Sequence, residues 1–227
     1  MAGFFRFPHT PHLAWLGSGS PRDDKVLAPG EAATLLERPV RVEEKIDGAN
    51  LGLSLDTAGH LQIQNRGQYL VAPFRGQFAR LPAWLGIHGG PLMTALTPEL
   101  ILFGEWCAAR HSILYDALPD WFLAFDVYDR SAERFWASGR RSEWCAGLGL
   151  AQVPTLACDR FSQPELLRLL QDQTSACGNA PAEGLVVRSD DPNWQHGRAK
   201  LVRAGFTQAI DTHWRQRHLE WNRLARP

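Results

Sequence analysis

The sequence predicts an α+β fold with largely antiparallel sheets. Two observations carry this: strand-like runs come in hairpin spacing, and the helical stretches between them lack the strand–helix–strand rhythm of a doubly wound sheet. Length and composition agree, because 227 residues that are 44% hydrophobic can bury a core without disulfide staples. The same figures argue against disorder, and no internal repeat or convincing linker interrupts the chain. One domain is expected over 1–227.

Taken in order, Val40 to Glu44 reads as a strand, and Leu51–Leu55 and Leu61–Gln64 flank the turn-rich Asp56-Thr57-Ala58-Gly59-His60 as a hairpin. Residues 74–85 and 138–148 are expected helices. Leu100–Trp106 and Trp121–Tyr128 are apolar strand candidates, followed by strands at Gly184–Arg188 and Ala199–Val202. Phe206, Ile210, Trp214 and Trp221 fall at helical spacing, which predicts an amphipathic helix over about 205–225.

Charge and cysteine usage narrow the function classes. The 24 basic and 24 acidic residues cancel, which argues against an indiscriminate nucleic-acid coat protein. From residue 198 onward, however, seven basic residues face only two acidic ones. The four cysteines form no C-x-x-C pair and the histidines no metal-ligand pattern, so a reducing, cytoplasmic setting is expected and a structural zinc site is not. The first residues lack the shape of a secretory signal, and no run of ~18 apolar residues suggests a membrane span.

The most informative block is Glu44-Lys45-Ile46-Asp47-Gly48-Ala49-Asn50, between two strands. A lysine attacks only as the neutral amine, so a nucleophilic role requires burial or nearby cations to lower its pKa, and Arg66, Arg198 and Lys200 are available. Gly48 would let a ligand approach the main chain. Alone, the block is weak evidence, and a solvated lysine leading into an Asp-Gly turn is its first reading. It is followed in order by Asn65-Arg66-Gly67, Phe103-Gly104-Glu105-Trp106, the strand Phe122-Leu123-Ala124-Phe125-Asp126-Val127-Tyr128, Glu183-Gly184-Leu185-Val186-Val187-Arg188, and Arg198-Ala199-Lys200-Leu201-Val202.

This ordered set resembles the covalent nucleotidyltransferases, the superfamily of ATP-dependent RNA and DNA ligases and mRNA capping enzymes, over residues 44 to about 202. The RNA ligase 2-like branch is the most similar. Thr10-Pro11-His12-Leu13 and His111-Ser112-Ile113 resemble a group of small bacterial and phage ligase-like proteins. The resemblance implies an adenylation domain with an ATP-grasp-like, antiparallel architecture, and about 25 residues after the last block leave no room for an OB barrel.

For individual residues, the resemblance implies that Lys45 takes AMP from ATP as a phosphoramidate and that Glu44 lies against the adenine edge. Asn50 would contact the ligand phosphate or the reacting end, and Arg66 would hold a phosphate as a bidentate donor. Glu105 would accept from the ribose, and Phe125 and Val186 would enclose the base. Glu183 would hold hydrated Mg²⁺ or Mn²⁺, and Arg198 and Lys200 would act on the phosphates as catalytic cations. Arg198 departs from the branch's Lys-x-Lys pattern, and Arg and Lys are not interchangeable.

Duller roles stay open for single residues: Phe125 as core, Glu105 and Glu183 as edge carboxylates, Arg66 as a turn residue. The implied activity is ATP-dependent joining of 3'-OH and 5'-phosphate ends, RNA favoured over DNA, with a possible repair partner protein and no membrane. A minimal DNA ligase and a catalytically silent nucleotide-binding module are the alternatives.

Overall fold

The computed structural model describes residues 3–19, 21, 25–209 and 219–226. Among the described residues ten strands form two antiparallel sheets. The first contains β1 (Val40–Lys45), β8 (Thr155–Asp159), β9 (Gly184–Asp190) and β10 (Gln195–Val202), in the order β10-β9-β1-β8. The second contains β2 (Ala49–Leu55), β3 (Leu61–Gln64), β4 (Tyr69–Leu70), β5 (Leu100–Trp106), β6 (Phe122–Asp129) and β7 (Arg134–Phe135), in the order β4-β3-β2-β5-β6-β7. The antiparallel α+β expectation holds.

Alternation along β1, β9 and β10 decides what each face of the first sheet carries. Val42, Leu185, Val187, Ala199 and Leu201 are buried in one apolar cluster, together with Leu35 of α1 (Pro29–Leu36) and Leu166 and Leu170 of α4 (Gln163–Asp172). The residues between them carry the polar groups: Glu43 and Lys45 on β1, Arg188 on β9, Arg198 and Lys200 on β10. Registers Glu43↔Val186 and Lys200↔Val186 set three cavity-lining residues side by side.

The second sheet packs one face on α2 (Leu81–Ala95) and α3 (Ser138–Gly147), burying Leu51, Leu53, Leu102, Trp106, Phe122 and Trp84. Gly104 is obligatory at this layer, because a Cβ there would lie 2.3 Å from the Phe122 ring. Phe7, Phe103 and Ile101 form a smaller cluster beside Phe125 and Phe135.

Several expected elements shift. The helix expected at 74–85 is a 3-10 turn at Gly76–Phe78 followed by α2. Pro82 sits in its first turn, where the missing N–H costs nothing, and burial of Leu81, Trp84 and Leu92 carries the helix past Gly89, Gly90 and Pro91. The helix expected over about 205–225 is helical at α5 (Ala204–Ala209); residues 210–218, with Ile210 and Trp214, lie outside the described residues, and 219–226 is not helical. There Trp221 bridges Ala109 and Leu224 bridges Leu118. No helix among the described residues is long and apolar enough to cross a membrane.

Candidate active site

A cavity of about 380 Å³ is lined by residues of both sheets, within the ~300–1,000 Å³ usual for small-molecule sites. Glu44, Lys45, Asn50, Arg66, Glu105, Phe125, Val186, Arg198 and Lys200 all line it, so nine of the ten expected site residues converge there. The tenth, Glu183, reaches the cavity through Lys45, its Oε2 accepting from Lys45 Nζ at 2.8 Å.

Lys45 ends β1 opposite Gly184, the first residue of β9. No Cβ fits at position 184, since it would sit 2.2 Å from the Leu201 carbonyl oxygen. Gly48 is likewise dictated by the fold. Its Cβ would meet the Trp106 carbonyl at 2.7 Å, so the close approach is to β5 as well as to the cavity.

The electrostatics around Lys45 differ from the sequence expectation. Burial favours the neutral amine, but Glu183 and Glu105, with Asp47 behind them, outweigh it and lift the pKa above the ordinary lysine range. The amine is therefore an ammonium in the nucleotide-free protein, not the uncharged group expected from cations nearby. The carboxylates carry the converse strain. Burial raises Glu183 despite Lys45, and pushes Glu105 up to about 8.

Asn50 and Glu105 are cross-strand partners on β2 and β5. Both polar side-chain atoms of Asn50, Arg66 Nε and Glu44 Oε1 are buried without a hydrogen-bond partner. Such groups cost ~1–3 kcal/mol each unless something bonds them, so a polar ligand in this cavity would be well received. Glu44 Oε2 accepts from Ala176 N at 2.8 Å, and burial raises its pKa.

Phe125 and Val186 both face the cavity, and Phe7 packs edge-on to Phe125 with centroids 5.3 Å apart. Arg198 and Lys200 diverge in role. Arg198 Nη1 donates to Asp126 at 2.7 Å and to Gln195 at 3.2 Å, and its guanidinium lies 4.5 Å from the Phe7 ring and 4.3 Å from Phe135. Burial, opposed by Asp126, lowers its pKa to about 10, still charged at neutral pH. Lys200 exchanges backbone bonds with Pro11 and Leu13.

Sequence reasoning did not assign Phe7, His9, Thr10, Glu43, Asp126 and Arg188 to the site, although all six line the cavity. Glu43 accepts from Arg141 (2.5 Å) and Arg188 (2.6 Å), and Asp126 accepts from Arg188 (2.7 Å) and Arg198. Arg141 also donates to the Phe125 carbonyl. Burial would raise Glu43, but Arg188 and Arg141 hold it below the carboxylate range. Within this hydrogen-bonded cluster three guanidiniums meet two carboxylates, which leaves it one surplus positive charge where Arg188 and Arg198 line the cavity. Asp126 and Arg188 stand inside the Phe122–Tyr128 and Glu183–Arg188 blocks, which was the available signal.

Comparison with known proteins adds one decisive observation: the sequence model described as RNA ligase matches residues 38–202. The chain belongs to the RNA ligase family. That match runs from just before β1 through β10 and leaves the cavity-lining Phe7, His9 and Thr10 and the segment 219–226 outside it.

Among RNA ligases of known structure, a lysine-to-alanine variant of the Naegleria gruberi enzyme with ATP and Mn superposes with a TM-score of 0.63 at 17% identity. The superposition covers 89% of this chain and 63% of that one. The same ligase with PPi gives 0.62 at 19% identity, covering 90% and 64%. An archaeal ATP-dependent RNA ligase gives 0.59 at 21% identity, covering 87% and 48%. These likenesses establish the shared fold, and the chain spans less than two thirds of each ligase's length. No curated protein matches the sequence.

Proposed function

We propose that this RNA ligase family chain is the catalytic domain of an ATP-dependent RNA ligase, sealing 3'-OH to 5'-phosphate ends through a lysyl-AMP intermediate. The observation that carries the reading is Lys45, in the cavity and 2.8 Å from Glu183, surrounded by the expected nucleotide-contact residues. Solved ligases of the same fold were obtained with ATP and Mn, which supports the choice of nucleotide.

ATP enters as a substrate. Phe125 and Val186 enclose its base, Glu44 meets the base edge, and Glu105 accepts from the ribose. Lys45 Nζ attacks the α-phosphorus, forming a P–N bond as the P–O bond to pyrophosphate breaks. Because the resting ammonium is inert, the proton must leave first. Glu183, its carboxylate raised by burial, is the acceptor in contact. Asn50, Arg66 and Lys200 take the phosphate charge, and Arg198 contributes through the cluster anchored on Asp126. AMP then passes to a 5'-phosphate and leaves when the 3'-OH attacks.

A divalent cation fits the donor set. Among the described residues no three His, Cys, Asp or Glu groups form a metal cage, but the carboxyls of Glu183 and Glu105 both act on Lys45, so oxygen donors stand beside the attacking amine. Hydrated Mg²⁺ or Mn²⁺, which favours one or two carboxylates plus phosphates, would be held mainly by Glu183 once the Lys45 proton has passed from that carboxyl to solvent, and would supply charge neutralisation. All four cysteines are free and three are buried, which suits the reducing cytoplasm.

The test is joining of nicked duplexes with RNA or DNA at the 3'-OH side, with ATP and Mg²⁺. Preferential sealing of RNA, lost in Lys45→Ala, is expected. Indifference to the 2'-hydroxyl would point to a DNA ligase, and absence of joining and of nucleotide transfer to a silent binding module.

A further inference from the structure

Lys45 lies at the last position of β1, and the turn that follows has no strand partner. That turn is clamped from the irregular loop between β5 and β6. Asp47 N donates to Tyr115 Oη at 2.9 Å, while Asp47 Oδ2 accepts from Ser112 N at 2.6 Å and Ile113 N at 2.9 Å. A loop of this length without regular structure needs support from outside itself.

The support comes from residues 219–226, beyond the family match. Asn222 is 2% exposed and spends its amide on the loop: Oδ1 accepts from Tyr115 N (2.9 Å), and Nδ2 donates to the carbonyls of Cys107 (2.8 Å) and Ala109 (3.2 Å). Backbone bonds run alongside, Asn222 N to Ala108 O and Arg223 N to Tyr115 O. Trp221 adds a pin, since the Arg80 guanidinium lies 4.3 Å from its ring and 4.7 Å from Trp121.

We infer that Asn222 is a positioning residue for Lys45, acting through the 107–118 loop and Asp47. An apolar residue at 222 leaves Tyr115 N, Cys107 O and Ala109 O without partners, and the loop gives up the geometry in which Ser112 and Ile113 hold Asp47. Asn222 lines no part of the cavity, so nucleotide binding is spared and the aim of the amine is not.

The inference rests on the ligase reading, and the experiment separates the two. Self-adenylation of the full chain with α-labelled ATP and Mg²⁺ is followed in single turnover across ATP concentrations for the unaltered protein, Asn222→Ala, Asn222→Asp and Tyr115→Phe. Asn222→Ala should lower the maximal rate at least about tenfold while half-saturating ATP moves less than about twofold. Tyr115→Phe, which removes only the hydroxyl at Asp47 N, should move the rate the same way. Asn222→Asp, which keeps the acceptor for Tyr115 N but turns a carboxylate oxygen on the Cys107 and Ala109 carbonyls, should fall at least as far as Asn222→Ala. Circular dichroism at the assay temperature confirms folding; if Asn222→Ala is unfolded, the other two variants carry the comparison.

Amide exchange without nucleotide reads the same chain of contacts: Ser112 and Ile113 should lose protection in the Asn222 variants. An unchanged adenylation rate, or a shift in half-saturating ATP alone, overturns the inference. If the unaltered protein never labels, the ligase reading fails by itself, and exchange at Ser112 and Ile113 decides the role of Asn222.

Discussion

Glu43→Gln tests the buried charge cluster under the cavity, because it changes charge at almost constant shape. Glu43 is 0% exposed and accepts from Arg141 at 2.5 Å and Arg188 at 2.6 Å. The substitution leaves Asp126 alone against three guanidiniums, raising the buried surplus from one positive charge to two, and it sets an amide N–H against an arginine donor. Breaking a buried pair from one side costs ~3–5 kcal/mol. At ~2–4 °C per kcal/mol for a chain of this size, the melting temperature should fall by roughly 6–20 °C.

Reversible thermal or urea melts at pH 7 measure this. Adding Arg141→Met restores the original surplus of one, so the double variant should be more stable than Glu43→Gln alone. The pH dependence has a definite sign. Glu43 is depressed in the folded state, so its contribution is present above its unfolded pKa of ~4.3 and is lost as pH falls further. The gap between the two proteins should therefore narrow in acid. A loss below ~1 kcal/mol, or a double variant weaker than the single, would mean that Glu43 does not neutralise these arginines.

Three further outcomes are expected. Gly184→Ala drives a Cβ against the Leu201 carbonyl, which cannot move without disturbing β9–β10 pairing; the cost is ~1–3 kcal/mol or more by melting, with adenylation reduced through the displaced Lys45 partner. Glu105, raised to about 8, favours the protonated folded state, so its contribution is full below ~4.3 and lost as pH climbs through about 8; ligand-free melts should weaken over that window, and Glu105→Gln should flatten the trend. Asn50→Ala removes buried groups that nothing in the protein bonds, so it should leave stability near unchanged or raised while weakening ATP binding at least about tenfold by calorimetry.

The main strands were legible because Val40–Lys45, Leu100–Trp106 and Phe122–Asp129 combine β-rich composition with alternation, and the site residues because their blocks fall on those strands in a recognisable order. α4 was equally legible: Ser162 and Glu165 cap each other reciprocally ahead of Leu166 and Leu170, a signal that was there to be read. α2 was not, since Gly89, Gly90 and Pro91 look like breakers and only burial against the second sheet overrides them. The protonation of Lys45 was misjudged for a related reason. Sequence order shows which cations exist, but strand register decides that Glu183 and Glu105 arrive first. The pairing of Glu43 with Arg141 and Arg188, 98 and 145 residues away, has no local trace. Nor has the seating of residues 219–226 on the 107–118 loop.

Every step above depends on a covalent bond between Lys45 Nζ and AMP. The most direct measurement is peptide mass mapping after incubation with ATP and Mg²⁺ or Mn²⁺, under conditions that preserve phosphoramidates. One added adenylyl group is expected, on the peptide carrying Lys45 and on that side chain, removed by adding pyrophosphate. An adenylyl group on another residue, or none on a protein that binds ATP, would contradict it.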